Sequence, residues 1–460
     1  MRPASLGKLL EDSDAALVRG DLADAGRTLD TARSLAPENP DLWLAIARLR
    51  LRGGEHLTAL EAADRALALG PDHGPALLLR ALMVRDAHGF AEARRWFEAA
   101  VEADPQNPDI RAEYAAALGD AGEAQAMLAA VRELADLAPE DPRVFYLQAV
   151  LAERGGRDTL ARSLLARSGM ATRGVPAALL LDALIDLRQG NAESAAATLD
   201  GLAGRQPGNT RVRELLAHAL LAGGHPDAVI ARFGEDAGRP EASPYLVMLV
   251  ARAHEKIGDR AAAAPLLAKA YGALRTAPAV LAPRSGLPLP SMEARQALIA
   301  NDFAGARSRA EALRARLPAS ADVASLTGDV LLGTGDVRAA LGAYARASEA
   351  RRPWPLTRKL VWAHTRMGDD VTAGSLLAEH AAGEPETASA LIALARRQAE
   401  RRDWRSAALL LDHAVALGAG HDPALLASRL RAARALRDAT AASRFAALLA
   451  EARPHPLAAP

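Results

Sequence analysis

The chain has 460 residues, half of them hydrophobic but only 3% aromatic. Lys+Arg and Asp+Glu both number 56, so no net charge draws the chain toward nucleic acid or an anionic membrane surface. Cysteine is absent, which removes disulfides, thiolate metal sites and cysteine nucleophiles together.

Alanine and leucine dominate, a composition that suits closely packed helices better than strands. At the start, MRPASLGKLLEDSDAALVRGD has no apolar core of signal-peptide length, because Lys8, Glu11, Asp12 and Asp14 break it. No window reaches about 18 uncharged apolar residues, so no membrane span is expected and the expected compartment is cytoplasmic.

The stretch from Asn39 to Pro71 predicts two short helices, A and B, joined by a tight turn at Gly53-Gly54. Stepping from Gly54 by 34 residues gives Gly20 backward, then His88, Gly122, Gly156, Gly190, Gly224 and Gly258 forward. A fixed period in this range marks a stacked repeat array. Glycine suits the position because a helix that ends abruptly often does so with φ > 0.

Five residues after the turn stand Ala25, Ala59, Ala93, Met127, Ala161, Ala195, Val229 and Ala263. Seven residues before it stand Ser13, Ala47, Ala81, Ala115, Ala149, Ala183, Ala217 and Ala251. Small side chains there let helices A and B approach closely. Nine residues after the turn an apolar plug returns, as at Leu29, Phe97, Leu165, Leu199 and Phe233. Pro37, Pro71, Pro105, Pro139 and Pro207 recur on the same step and end helix B, since proline lacks the next helical N–H. Asp21, Glu55, Glu123, Asn191 and Asp259 follow the turn and are expected to cap helix B.

The register slips once. After Gly258 the next turn is Asn301-Asp302, 43 residues on. The extra residues lie within Thr276 to Ser291, a Pro/Gly-rich insertion between repeats that reads either as a passive loop or as a hinge or binding arm. The expected domains are therefore repeat blocks 1–275 and 292–460 around an irregular 276–291 segment. In the second block the turn positions are Asn301, Gly335, Gly368, Arg402 and Leu436. The last repeat is degenerate and polar, with Arg429, Arg434 and Arg444, as expected of a terminal cap whose outer face meets water. About thirteen helical hairpins are counted.

These residues resemble the tetratricopeptide repeat family. Its small–small–small–proline signature sits at Ala47, Ala59, Ala66 and Pro71, with Trp43 at the first large position. The resemblance implies an all-α, right-handed superhelical solenoid of about thirteen antiparallel helix–turn–helix repeats. It also implies a concave groove lined by the A helices. In the family's register the candidate groove residues are Arg48, Leu78, Leu82, Arg85, Tyr146, Val150, Arg154, Leu181, Leu184, Arg188, Tyr245, Met248 and Arg252. They read as an apolar floor with arginines along one side, suited to an amphipathic helix or peptide with acidic groups. The same leucines could instead pack against the neighbouring A helix. The carboxylate clamp of chaperone-binding members is disfavoured, because Leu44, Leu78 and Leu82 stand at its positions.

Nothing in the chain reads as catalytic. A P-loop and a nucleophile elbow are both missing from the sequence, and the eleven histidines form neither HExxH nor HxxxH. The arginine-rich stretches RRPWPLTRK and RRQAERRDWR carry tryptophans, yet Glu349, Glu400 and Asp403 interrupt their charge. The expectation is a non-enzymatic scaffold or adaptor with no cofactor, no metal and no nucleic acid, whose partner is a protein or peptide. The alternative is an accessory or targeting subunit of a separately encoded enzyme such as a transferase.

Overall fold

A computed structural model describes residues 5–239, 242–271, 289–385, 387–417 and 419–452. Residues 276–288 of the expected insertion, and the tail from 453, lie outside the described residues. Among the described residues there are 26 α-helices and no strand. The first hairpins are α1 (Leu6–Arg19) with α2 (Leu22–Leu35), α3 (Pro40–Arg52) with α4 (His56–Leu69), and α5 (Gly74–His88) with α6 (Phe90–Ala103). Next come α7 (Pro108–Asp120) and α8 (Ala124–Leu137), then the hairpins α9 (Pro142–Arg154) with α10 (Asp158–Ser168), and α11 (Pro176–Arg188) with α12 (Ala192–Arg205). Then follow α13 (Thr210–Ala222) with α14 (Pro226–Gly238), and α15 (Pro244–Lys256) with α16 (Arg260–Tyr271). The second block opens with α17 (Leu289–Ile299) and α18 (Phe303–Arg316), α19 (Ala321–Gly333) and α20 (Val337–Ser348), and α21 (Trp354–Arg366) and α22 (Asp370–Gly383). It closes with α23 (Ala388–Glu400) and α24 (Trp404–Ala416), then α25 (Pro423–Ala435) and α26 (Ala439–Ala452). Odd numbers are A helices and even numbers are B helices.

The turn position carries positive φ wherever the period places glycine, from Gly20 (80°) and Gly54 (79°) to Gly335 (86°) and Gly368 (79°). Asn301 (59°) and Arg402 (62°) adopt the same left-handed conformation without being glycine. At two turns the structure corrects the sequence register. The third turn residue is Gly89 (φ 90°), one beyond His88, and the last is Arg437 (φ 57°), one beyond Leu436. Helices α2, α4, α6, α8 and α12 stop two residues before Pro37, Pro71, Pro105, Pro139 and Pro207. Helix α10 has no proline to stop it and ends at Gly169, whose φ is 61°.

Aspartates after the turn cap helix B through the side chain. Asp21 accepts from Asp24 N at 2.9 Å, Asp336 from Ala339 N at 3.0 Å and Asp369 from Thr372 N at 3.0 Å. Glu123 and Asn191 make no side-chain cap bond. Glu55 does not cap α4 either, because its carboxylate is used elsewhere.

The helices cluster into two compact units: Met1–Ala121 with Pro288–Glu384, and Gly122–Leu287 with Pro385–Pro460. Each unit joins stretches from both sides of the insertion. In the first unit a seam holds the two stretches together. Glu55 accepts from Ala319 N at 2.9 Å, Leu57 N donates to Ala319 O at 3.1 Å, and His56 Nδ1 accepts from Ala321 N at 3.2 Å. Arg352 N donates to Asp86 O at 3.0 Å. At Gly89 a Cβ would lie 2.4 Å from the Cα of Gly383. The third turn therefore shifts its glycine to the place where another backbone crosses it.

Within repeats, small residue and plug are matched in size. Gly328 is the smallest residue at its position, and a Cβ there would lie 2.3 Å from the Tyr344 ring, which fills the space. Burying a whole tyrosine ring requires that glycine, where alanine suffices opposite Phe97 or Leu199.

Candidate peptide-binding surface of the A helices

The candidate residues recur at fixed places in successive A helices, so their backbones follow one register. Their depth differs. Leu181 is 5% exposed and Met248 is 9% exposed. Leu181 packs with Ala149, Leu165 and Ile185, and Met248 with Leu216 and Leu249, in the core of the second unit. These two side chains hold neighbouring A helices together. Tyr146 and Val150 lie half-buried over the Leu181 cluster, and Leu184 and Tyr245 half-buried over the Met248 cluster. In the first unit Leu78, Leu82 and Arg85 are half-buried and Arg48 is exposed.

The arginines beside this floor are already engaged. Arg188 contacts the Glu153 carboxylate and lies 3.4 Å from Asp158. Arg252 pairs with Glu255 at 2.8 Å, and Arg85 approaches Asp86 at 3.6 Å. Arg154 is exposed and also has interactions of its own. Such surface pairs contribute about 0–1 kcal/mol each, so an incoming carboxylate can replace one at little cost.

Polar groups outside the sequence-based candidates stand beside the candidate Tyr245 in the second unit. Tyr245 Oη lies 3.0 Å from His218 Nδ1, and the Ser243 hydroxyl donates to Glu214. Burial pushes the Glu214 carboxyl up and the Tyr245 phenol up to about 12. Burial also raises Asp422, which caps α25 within the same unit and acts on Glu214 as a like charge. The available signal was the repeat step itself, which sets His218 between Leu184 and Arg252 in one series.

That series continues into the first unit with Arg295 and Asp329, 34 residues apart. Asp329 is 0% exposed and accepts from Tyr344 Oη at 2.8 Å, Lys359 Nζ at 2.8 Å and Arg295 Nη1 at 3.0 Å. It ties α17, α19, α20 and α21 together. The basic stretch around Trp354 is consumed in the same way. Lys359 is buried in this cluster, Arg352 pairs with Glu379 at 2.8 Å, and the Trp354 ring tilts against His380 at 5.2 Å.

Among the described residues no group of three or more His, Cys, Asp or Glu could hold a metal ion, and no helix is long and apolar enough to cross a membrane. A family model described as "Tetratricopeptide repeat" matches residues 10–73, 44–108 and 291–353. No curated protein matches the sequence. Among solved structures, the chain is similar to the human IFIT1 dimer with m7Gppp-AAAA, at 16% identity and a TM-score of 0.43, covering 74% of this chain and 80% of that one. It is similar to Pseudomonas aeruginosa pilF at 17% identity and a TM-score of 0.32, covering 50% and 88%. It is similar to the P58(IPK) TPR domain at 16% identity and a TM-score of 0.24, covering 79% and 99%. Residues 10–108 and 291–353 match the tetratricopeptide-repeat model directly and the other described helices follow the same A–B plan, so the chain has a tetratricopeptide-repeat-like, all-α fold.

Proposed function

We propose that the chain is a non-enzymatic scaffold that binds a protein segment on the A-helix face of its second unit. The observation that carries this reading is the half-buried apolar row Tyr146, Val150, Leu184 and Tyr245, flanked by Arg188 and Arg252 in surface ion pairs. An amphipathic helix or extended segment would lay its apolar side chains on that row. Its acidic groups would exchange with Glu153 and Glu255 for the arginines.

The test replaces half-buried residues and leaves the core alone. Val150→Glu with Leu184→Glu is expected to keep the far-ultraviolet circular dichroism of the wild type and to abolish retention of a partner segment. Leu181→Glu is the control, because a charge at that buried site unfolds the neighbouring helices. Partner retention by the folded double variant at the wild-type level would remove the A-helix face from the proposal.

A further inference from the structure

The last hairpin departs from the repeat plan in a way the plan makes legible. Arg429 stands seven residues before Leu436 and Phe445 nine after it, the sequence places of the small residue and the plug. At most other turns the small place holds alanine or glycine, as at Ala217, Ala395 and Gly328, with Ser13 and Val361 as the exceptions. The expectation that Arg429 would sit on a wet outer face is corrected, since Arg429 is 6% exposed. A guanidinium cannot pack as alanine does, and α24, α25 and α26 stand around a cavity of about 370 Å3. Its lining includes Asp412, Val415, Arg429, Asp438, Arg444 and Phe445.

The charges in that lining are unequally used. Arg429 Nε donates to Asp412 Oδ1 at 2.8 Å and Nη2 to Oδ2 at 3.0 Å, so Asp412 is fully held. Asp438 caps α26 through Ala441 N at 2.9 Å. Both carboxylates thus have partners. Arg429 Nη1 has none, although it is buried. A buried donor left without an acceptor costs about 1–3 kcal/mol, more when it is charged. Arg444 also lies over the Phe445 ring: the two guanidinium carbons are 4.9 and 5.3 Å from its centroid. Among the described residues Arg444 pairs with no carboxylate.

We infer that this cavity is a carboxylate-binding site, separate from the A-helix face and independent of that reading. The carboxylate accepts from Arg429 Nη1 and pairs with Arg444. The apolar part of its carrier rests on Phe445 and Val415. Two sources share this chemistry, the free C-terminus of a peptide and an acidic side chain within one.

The test titrates the full chain with three hexapeptides, observed by ligand NMR. One has a free C-terminus and no acidic residue, one is the same peptide amidated, and one is amidated with a single Glu. Saturable binding of the first alone assigns a chain terminus, and binding of the third assigns a side chain; either outcome supports the site. Arg444→Gln is exposed and leaves the Arg429–Asp412 pair intact, so it is expected to keep the fold and to weaken binding at least tenfold. Arg429→Lys retains the charge without the fork and is expected to weaken binding similarly. Equal binding of all three peptides overturns the inference, as does binding unchanged in Arg444→Gln. Absence of saturation by any peptide up to 10 mM also overturns it, and means that Nη1 is met by water only.

Discussion

Asp329 gives the sharpest test of how the first unit is held together. It is fully buried and is the shared acceptor of Tyr344, Lys359 and Arg295, drawn from three other helices in three repeats. Asp329→Ala leaves Lys359, itself 4% exposed, with only Ser325 Oγ at 3.3 Å. Breaking a buried pair from one side costs about 3–5 kcal/mol, because the remaining charge is buried without compensation. Against a typical total of about 5–15 kcal/mol, that is a large fraction of the stability. Removing the lysine charge as well, as Asp329→Leu with Lys359→Met, is expected to recover part of that cost, since it no longer leaves Lys359 buried and unpaired but still leaves Arg295 and the Tyr344 hydroxyl without their acceptor. Urea denaturation followed by circular dichroism gives both values, and hydrogen exchange localises the loss to α17–α21. A cost below about 1 kcal/mol for Asp329→Ala, or a double variant no better than the single, would refute the reasoning.

Three further outcomes follow from the turns and the seam. Gly89→Ala places a Cβ where Gly383 already passes and forces a left-handed residue to carry a side chain, so it is expected to cost about 1–3 kcal/mol and to speed exchange near Gly383, measured by hydrogen exchange. Arg402→Gly relieves a left-handed non-glycine residue and is expected to stabilise by about 1 kcal/mol in the same urea assay. His56 lies in the seam with its pKa lowered, mainly by burial and also by the Arg351 charge, against the raising effects of Asp322, Glu55 and Asp86. Its folded pKa is below the unfolded 6.5, so its contribution is complete above about pH 6.5 and is lost as pH falls toward the folded value. Protonation turns the Nδ1 acceptor into a donor facing Ala321 N. Stability measured from pH 7.5 to 5.5 is expected to fall, and His56→Gln is expected to flatten that slope.

The fold was legible because each repeat reuses a few positions with strict steric demands. Glycine every 34 residues reports a left-handed turn, and the structure gives each one positive φ. The exception at His88 was also informative. The turn had moved to Gly89 because Gly383 crosses there, a contact between residues nearly three hundred apart that periodicity cannot contain. Depth within the A-helix face was not legible. Leu181 and Leu184 are the same residue type three positions apart, yet only the packing of the next A helix decides that the first is core and the second is surface. The pairing of Arg188 with Glu153 was not legible either, because it depends on side-chain reach between neighbouring A helices, whereas Arg252 and Glu255 are an i,i+3 pair within α15. Arg429 broke the repeat code in plain view. The code said that the site was unusual, and only the structure said that it was buried.

A photo-crosslinking residue placed at Leu184, half-buried on the A-helix face, tests the central claim most directly when compared with the same residue at Leu409, which is 71% exposed on a B helix. A discrete protein adduct is expected at Leu184, lost when Val150→Glu is added, and none at Leu409. An adduct at Leu409 alone, or at both sites equally, would contradict it.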